Sequence, residues 1–386
     1  MKKKVLAVMM SMVCVLGCLS GCGSADEKGS ASETVVNTEV EENSQTAENE
    51  NATEDLKEVD SAENVAETNE ADDEAKLQEN ADETADSEKV EIHVGSLKGP
   101  TSMGLVYLMS QSEKGEASEN YTFTMATAAD ELLVQVVSGN LDIALVPANV
   151  ASVLYHKTDG GISVIDINTL GVLYMVSGDN SLQSMDTLKG KTIYLTGKGT
   201  TPDYVLQYLL TGNGLTLDDV TLEYKSEATE VVAVLSENSE AVGVLPQPFA
   251  TVACMQNETL SVVMDLTKEW SALQGEGGSS LVTGVTIVRN DFLKENPEAV
   301  AAFMKDHKQS AAYANENIEE AAELVASYGI IEKAPVAVKA MPYCNITYMD
   351  GEDMKNALSG YLEVLYEQDA SSVGGSLPAD DVYYIK

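Results

Sequence analysis

The segment VEIHVGSLKGPTS (residues 90–102) decides the fold, together with the later segment TIYLTGKGTTPD (residues 192–203). In each segment, apolar and polar residues alternate and then give way to a loop that combines Lys, Gly, Thr and Pro. Alternation with a period of two is typical of a β-strand, and Gly and Pro end it. A helical pattern follows each loop, so each segment begins a strand–loop–helix unit.

The units around these two segments repeat in the same order. In the first block, the pattern predicts strands at 90–97, 121–126 and 141–146, each followed by a helix. In the second block, it predicts strands at 192–195, 220–224 and 241–245, again each followed by a helix. In both blocks the third strand runs into a loop that contains proline. Alternating strands and helices indicate an α/β fold with mostly parallel sheets flanked by helices.

The repeat predicts two lobes with the second inserted into the first. A β-branched run at 162–176 precedes the second block, and an apolar strand pattern at 281–289 follows it and returns the chain. We therefore assign residues 89–176 and 281–386 to lobe 1 and residues 177–280 to lobe 2. About 300 residues are enough for a sizeable core in two lobes.

The first 22 residues have the pattern of a secretory signal. Three lysines at 2–4 precede an uncharged apolar run at 5–19, which ends in Leu19-Ser20-Gly21-Cys22. The run is shorter than the roughly 20 apolar residues that a membrane-spanning helix needs. The final four residues resemble the lipobox of bacterial lipoproteins, and this resemblance implies a lipid such as palmitate on Cys22. Cleavage at another position, as in an ordinary signal peptide, is the alternative.

Residues 23–88 form an acidic segment of low complexity. They contain 23 acidic and 3 basic residues and no aromatic residue, which gives a net charge of −20 out of the −40 of the whole chain. Such a composition cannot bury enough apolar surface to offset the loss of chain entropy on folding. We expect a disordered tether between the membrane and the folded lobes.

Composition also excludes several function classes. The acidic balance argues against nucleic acid as a partner, because phosphate binding needs a basic surface. The sequence has no Cys-x-x-Cys or Cys/His cluster, so we predict no metal site and no cofactor. No histidine neighbours a nucleophile motif, and we predict no catalytic residue. Whether Cys254 and Cys344 form a disulfide stays open.

The candidate ligand-binding residues lie where predicted strands end and helices begin. In open α/β sheets, ligands gather at the carboxyl ends of the strands, and helix N-termini offer unpaired N–H groups there. The predicted set comprises Lys98, Gly99, Pro100, Thr101, Ser102, Thr127, Asp130, Pro147, Asn149, Lys198, Thr200, Thr201, Asp203 and Gln247.

Capping of helices is the structural alternative for several of these residues. Thr201 and Pro202 suit the N-cap and the first helical position, and Asp130 and Asp203 suit the first turn of a helix. The loops at 98–102 and 198–203 nevertheless follow the first strand of their lobes, so they are expected to face each other across a cleft.

The folded part resembles the solute-binding proteins of ABC importers, in the group for nitrate, sulfonates, taurine and thiamine precursors. The segments that carry the resemblance are residues 99–104, 138–144, 188–191, 199–204, 240–249 and 296–300. The resemblance implies a type II periplasmic-binding-protein fold that closes on a small ligand. It further implies a membrane permease as partner, a monomer, and a location on the extracytoplasmic face of the cell membrane. A secreted enzyme and a protein-binding surface lipoprotein on the same fold are the alternatives.

The sequence leaves the ligand open. The only arginine of the chain, Arg289, is expected to form a local ion pair in Arg289-Asn290-Asp291, so a bidentate clamp on an anion has little support. An aromatic platform would have to come from Tyr107, Tyr204, Phe249, Trp270 or Tyr343. Among these, Trp270 precedes a glycine-rich stretch and could lie on a loop at the cleft.

Overall fold

The computed structural model describes residues 89–385, and the structural statements that follow concern this part of the chain. The predicted signal at 1–22, the lipidation at Cys22 and the tether at 23–88 lie outside the described residues.

The strands form two sheets, and most lie within a few residues of the predicted positions. They are β1 (Glu91–Leu97), β2 (Asn120–Ala126), β3 (Ile143–Pro147), β4 (Ile162–Leu170), β5 (Leu173–Ser177), β6 (Thr192–Thr196), β7 (Thr221–Lys225), β8 (Val242–Pro246), β9 (Ser261–Asp265), β10 (Val282–Arg289) and β11 (Ile346–Met349). The first sheet has the order β11-β4-β10-β3-β1-β2, and the second has the order β7-β6-β8-β5-β9.

The predicted repeat between the lobes is present in the strand order. In the first sheet, β1 lies between β2 and β3 and is parallel to both, and in the second sheet β6 lies in the same way between β7 and β8. On the far side of the third strand, each sheet has an antiparallel neighbour, β10 in the first and β5 in the second. The α/β fold is therefore confirmed, but the sheets are mixed and not mostly parallel as predicted, because β10, β5 and the strands next to them pair antiparallel.

The boundary between the lobes differs from the predicted one. The sequence assigned residues 89–176 to lobe 1, but β5 pairs with β8 and β9 in the second sheet. The chain therefore passes from one lobe to the other at Gly171 and Val172. The apolar run at 162–176 hides this point, since both strands are buried and neither shows an alternating pattern.

Helices cover both sheets. They are α1 (Pro100–Met103), α2 (Val106–Glu113), α3 (Ala129–Val137), α4 (Ala148–Lys157), α5 (Thr201–Gly212), α6 (Ala228–Glu237), α7 (Phe249–Gln256), α8 (Leu266–Gln274), α9 (Asn290–Glu295), α10 (Pro297–Glu316), α11 (Ile318–Ser327), α12 (Ala334–Ala340) and α13 (Gly351–Gln368). Within residues 89–385, no helix combines the length and the apolar character needed to cross a membrane.

One apolar core runs from lobe 1 through the crossing segments into lobe 2. Leu154 of α4, Leu173 and Leu281 at the crossing, and Trp270 of α8 all belong to it. Helix α13 joins the two parts, because Tyr361 of this helix contacts the indole of Trp270 with ring centroids 5.7 Å apart. The two lobes are thus held by packing as well as by the two chain crossings.

Candidate functional site

The ends of the third strands define the centre of the candidate site. Strand β3 ends in Leu145-Val146-Pro147 and β8 ends in Val244-Leu245-Pro246, so the two lobes place a proline at equivalent positions. Both prolines line one cavity between the lobes, with a volume of about 350 Å³. This volume lies at the lower end of the range of about 300–1,000 Å³ that is usual for small-molecule sites.

Both lobes and both crossings contribute to this cavity, which we call the hinge cavity. Its lining consists of Pro147, Asn149, Val150, Val172, Leu173, Thr200, Thr201, Pro202, Pro246, Leu281 and Thr283. Helices α4 and α5 begin at the cavity, one from each lobe. It therefore has the position that the sequence predicts for a ligand site, at strand ends and helix starts.

The floor of the hinge cavity is a tightly packed crossing. The backbone N–H of Gln247 donates to the carbonyl of Val172 at 3.0 Å, which fixes the first crossing against the end of β8. A Cβ atom at Gly171 would lie only 2.2 Å from Oγ1 of Thr267 and 2.7 Å from Cδ2 of Leu281. Only glycine fits at this position without displacing the second crossing.

Hydrogen bonds also join the lobes at the hinge cavity and near it. Thr201 Oγ1 donates to Asn149 Oδ1 at 3.5 Å, and Tyr204 Oη donates to Asp369 Oδ2 at 2.8 Å. Burial, together with the hydrogen bond to Asp369, raises the pKa of Tyr204 to about 12. Tyr204 therefore stays a hydrogen-bond donor to that carboxylate at physiological pH.

The loop that carries Thr200 and Thr201 is fixed by Asp203. Its buried carboxylate accepts from the backbone N–H of Gly199 at 2.8 Å, from Gln207 Nε2 at 2.6 Å and from Tyr224 Oη at 2.8 Å. Burial and this last bond raise the pKa of Tyr224. Asp203 therefore shapes the loop from within lobe 2 and does not itself line the hinge cavity.

Four of the predicted ligand residues line the hinge cavity: Pro147, Asn149, Thr200 and Thr201. Two others line different cavities between the lobes. Lys98 borders a cavity of about 430 Å³ that also contains Phe249, Glu332 and Lys333, and Gln247 borders one of about 710 Å³ near Cys254.

The remaining predicted residues either have structural contacts or are exposed away from the hinge cavity. The hydroxyls of Thr101 and Ser102 turn inward and donate to the carbonyl of Leu97, because they begin a short helix against β1. Thr127 and Asp130 are exposed beyond the edge strand β2. Of the others, Gly99 precedes α1 and Pro100 begins it, and Lys198 lies over the ring of Tyr224 at 5.3 Å.

Two local predictions need correction. Helix α5 begins one residue earlier than expected, so Thr200 rather than Thr201 is its N-cap residue and Pro202 occupies the second helical position. Trp270 does not lie on a cleft loop: it is fully buried in α8, where its Nε1 donates to the carbonyl of Ser279 at 3.0 Å. The glycine-rich stretch begins only after this helix ends.

Seven residues that line the hinge cavity are absent from the predicted set of ligand-binding residues. They are Val150, Val172, Leu173, Pro202, Pro246, Leu281 and Thr283. Pro202 lies in the loop at 198–203 that was expected to face the cleft, and the strand end at 246–249 was also a candidate binding turn, in which Pro246 is the counterpart of Pro147. The crossing residues carry no such signal, because an apolar residue in a hinge has the same local pattern as one in a strand core.

Arg289, Cys254 and Cys344 do not line the hinge cavity. Arg289 pairs with Asp291, as predicted, and also with Asp142, at 3.5 Å and 3.2 Å. Cys254 and Cys344 are both free thiols, which settles the question of their pairing, and burial raises the pKa of Cys344 to about 12. Among residues 89–385, no cluster of three or more His, Cys, Asp or Glu side chains could hold a metal ion.

Comparisons with known proteins agree with this architecture. Residues 160–321 match the family model described as NMT1/THI5 like. A protein of Brucella abortus (strain 2308) that is described as a binding protein is 25% identical over 203 residues, which is 53% of this chain. The chain spans 60% of the length of that relative.

Two solved structures show the same fold at low sequence identity. An ABC transporter protein from Parabacteroides distasonis has a TM-score of 0.64 and 23% identity, over 76% of this chain and 99% of that one. The periplasmic aliphatic sulphonate binding protein of Escherichia coli has a TM-score of 0.59 and 15% identity, over 72% of this chain and 88% of that one. The resemblance to the solute-binding proteins of the nitrate, sulfonate, taurine and thiamine-precursor importers is therefore confirmed, by the family model over residues 160–321 and by the periplasmic-binding-protein fold of the described chain.

Proposed function

We propose that the protein captures a small solute in the hinge cavity and delivers it to an ABC-type import permease. The observation that carries this proposal is the cavity itself, since both lobes and both crossings line it and opposite helix starts meet there. The family match and the named relatives, which are binding proteins and ABC transporter components, support the same function.

The proposal includes a place of action. Capture outside the cytoplasm would use the secretory signal, and a lipid on Cys22 with the acidic tether at 23–88 would hold the lobes near the permease. A monomer suffices for this role, because one chain supplies both walls of the cavity. No residue of the hinge cavity suggests turnover, so we propose binding and not catalysis.

Ligand binding can be tested by blocking the hinge cavity. Val150 lines the cavity, and Val150→Trp would fill much of it, whereas Val134→Trp places the same indole on the exposed face of α3. Thermal unfolding would be followed with sulfonates, nitrate, pyrimidines and aromatic acids. A true ligand at 100 times its Kd stabilises the folded protein by about 2.7 kcal/mol.

The proposal expects this stabilisation in the wild type and in Val134→Trp, and its loss in Val150→Trp. Circular dichroism establishes that both variants are folded. Uptake of the same solute by cells should fail with Val150→Trp and persist with Val134→Trp. Stabilisation that is unchanged by Val150→Trp would place binding elsewhere and overturn the proposal.

A further inference from the structure

Building on the proposed function, we propose that the solute is electrically neutral, with an apolar body and at least one hydrogen-bond acceptor. A sulfonate, nitrate or carboxylate ion is the disfavoured alternative. The inference depends on which side chains line the hinge cavity, and on where the helix ends, the Asp203 carboxylate and the cationic side chains lie.

The first observation is that no side chain lining the hinge cavity is ionisable. The apolar members are Pro147, Val150, Val172, Leu173, Pro202, Pro246 and Leu281, and the polar members are Asn149, Thr200, Thr201 and Thr283. An ion that leaves water needs a charged or strongly hydrogen-bonding partner to offset its desolvation, whereas a neutral apolar group needs none. The lining therefore suits a neutral body.

The second observation concerns the polar groups that remain for a ligand. The side-chain amide of Asn149 donates to the carbonyl of Ser372 at 3.4 Å and accepts from Thr201 Oγ1 at 3.5 Å. Both distances are at the long limit of a hydrogen bond, so these contacts are weak. A hydrogen-bond acceptor on the solute can therefore bind the side-chain amide of Asn149 or the hydroxyl of Thr201. Only a weak bond has to break in either case.

The third observation limits what the helix ends can offer an anion. The N-termini of α4 and α5 carry partial positive charge, which by itself favours anions. Pro147 and Pro202 have no N–H to donate at these two ends. In the first turn of α5, the buried carboxylate of Asp203 accepts only from the neutral groups of Gly199, Gln207 and Tyr224. A carboxylate that has no cation beside it opposes a second negative charge nearby.

The fourth observation is that Arg289, Lys198 and Lys98 do not line the hinge cavity, and Arg289 lies at the other end of β10 from it. Arg289 pairs with Asp142 and Asp291 and lines a separate cavity. Lys198 lies over the ring of Tyr224, and Lys98 borders the 430 Å³ cavity. Together, the four observations favour a neutral solute with a hydrogen-bond acceptor over an anionic solute in the hinge cavity.

Matched pairs of compounds test the charge of the solute directly. We would titrate the full chain in detergent with benzamide against benzoate, benzenesulfonamide against benzenesulfonate, and hexanamide against hexanoate, at pH 7.5. Each pair keeps the carbon skeleton and changes the charge. Calorimetry and thermal unfolding would report binding, and mass spectrometry would identify any small molecule that is released from the purified protein.

The inference expects the neutral member of a pair to bind at least tenfold more tightly, and binding to vanish in Val150→Trp. The variant Lys98→Gln serves as a control for binding in the 430 Å³ cavity. An anion held in that cavity would bind more weakly to Lys98→Gln and equally well to Val150→Trp. Two outcomes overturn the inference and leave the proposed function standing. In the first, an anion binds more tightly than its neutral partner and this binding is lost in Val150→Trp. In the second, the small molecule that is released from the hinge cavity is an anion. If no compound binds and none is released, the proposed function fails and the inference fails with it.

Discussion

The carboxylate of Asp203 should be a main determinant of the stability of lobe 2, and Asp203→Asn tests this. The side chain is 3% exposed and accepts three hydrogen bonds, from Gly199, Gln207 and Tyr224, at 2.6–2.8 Å. Asparagine has nearly the same shape but replaces one acceptor oxygen by a donor. At least one of the three donors therefore loses its acceptor.

The magnitude follows from the type of bond. A buried donor without a partner costs about 1–3 kcal/mol, and each retained bond loses about 1 kcal/mol when its acceptor is no longer charged. Removing a buried charge recovers part of its desolvation free energy, which offsets some of this loss. We expect the free energy of unfolding to fall by about 2–3 kcal/mol.

Urea unfolding followed by tryptophan fluorescence is a suitable assay, because Trp270 is the only tryptophan and is buried in lobe 2. Asp130→Asn is the control: Asp130 also lies in the first turn of a helix, but it is exposed. Its effect should stay within about 0.5 kcal/mol. If Asp203→Asn unfolds within 0.5 kcal/mol of the wild type, the three bonds do not fix the loop as we argue.

Three further outcomes are expected. Trp270→Phe should lower the free energy of unfolding by about 1–3 kcal/mol, since it removes packing and leaves the Ser279 carbonyl without its donor; an unchanged urea midpoint, followed by circular dichroism because the variant has no tryptophan, would contradict this. The hydrogen bond from Lys191 lowers the pKa of Asp179 to about 2, so the carboxylate stabilises the fold above about pH 4 and this contribution is lost as the pH falls towards 2. In Lys191→Met, a carboxyl NMR titration should show the Asp179 pKa moving back towards its usual value, and no movement would exclude the ion pair. Cys344, with a pKa of about 12, should resist a thiol reagent at pH 8 in the folded protein and react only after denaturation, as peptide mass mapping can show.

The fold could be predicted from local patterns to a large extent. Helical spacing of apolar residues predicts long helices at about 297–316, 318–328 and 351–368, and the structure has them at 297–316, 318–327 and 351–368. Strands β9 and β11 and helices α8, α9 and α12 were missed. β9 and β11 lie outside the two repeated strand–helix blocks, and their apolar runs are shorter than those at 162–176 and 281–289.

The candidate site could be predicted only in part. Pro147, Asn149, Thr200 and Thr201 were found because ligands gather at strand ends, which follow from the strand–helix alternation. Thr101 and Asp203 follow the same rule but turn their side chains into their own lobe. Nothing in the sequence distinguishes the two orientations, because direction depends on which neighbouring groups offer a hydrogen bond.

The sequence by itself determined the α/β class, the repeat of two strand–helix blocks and the strand ends where a ligand would be held, because these depend on residues close together in the chain. Only the tertiary structure decided where the chain crosses between the lobes, at Gly171 and Val172, and which side chains line the hinge cavity. These features depend on contacts between residues far apart in sequence, such as Thr201 with Asn149 and Leu281 with Gly171, and local periodicity carries no information about such contacts.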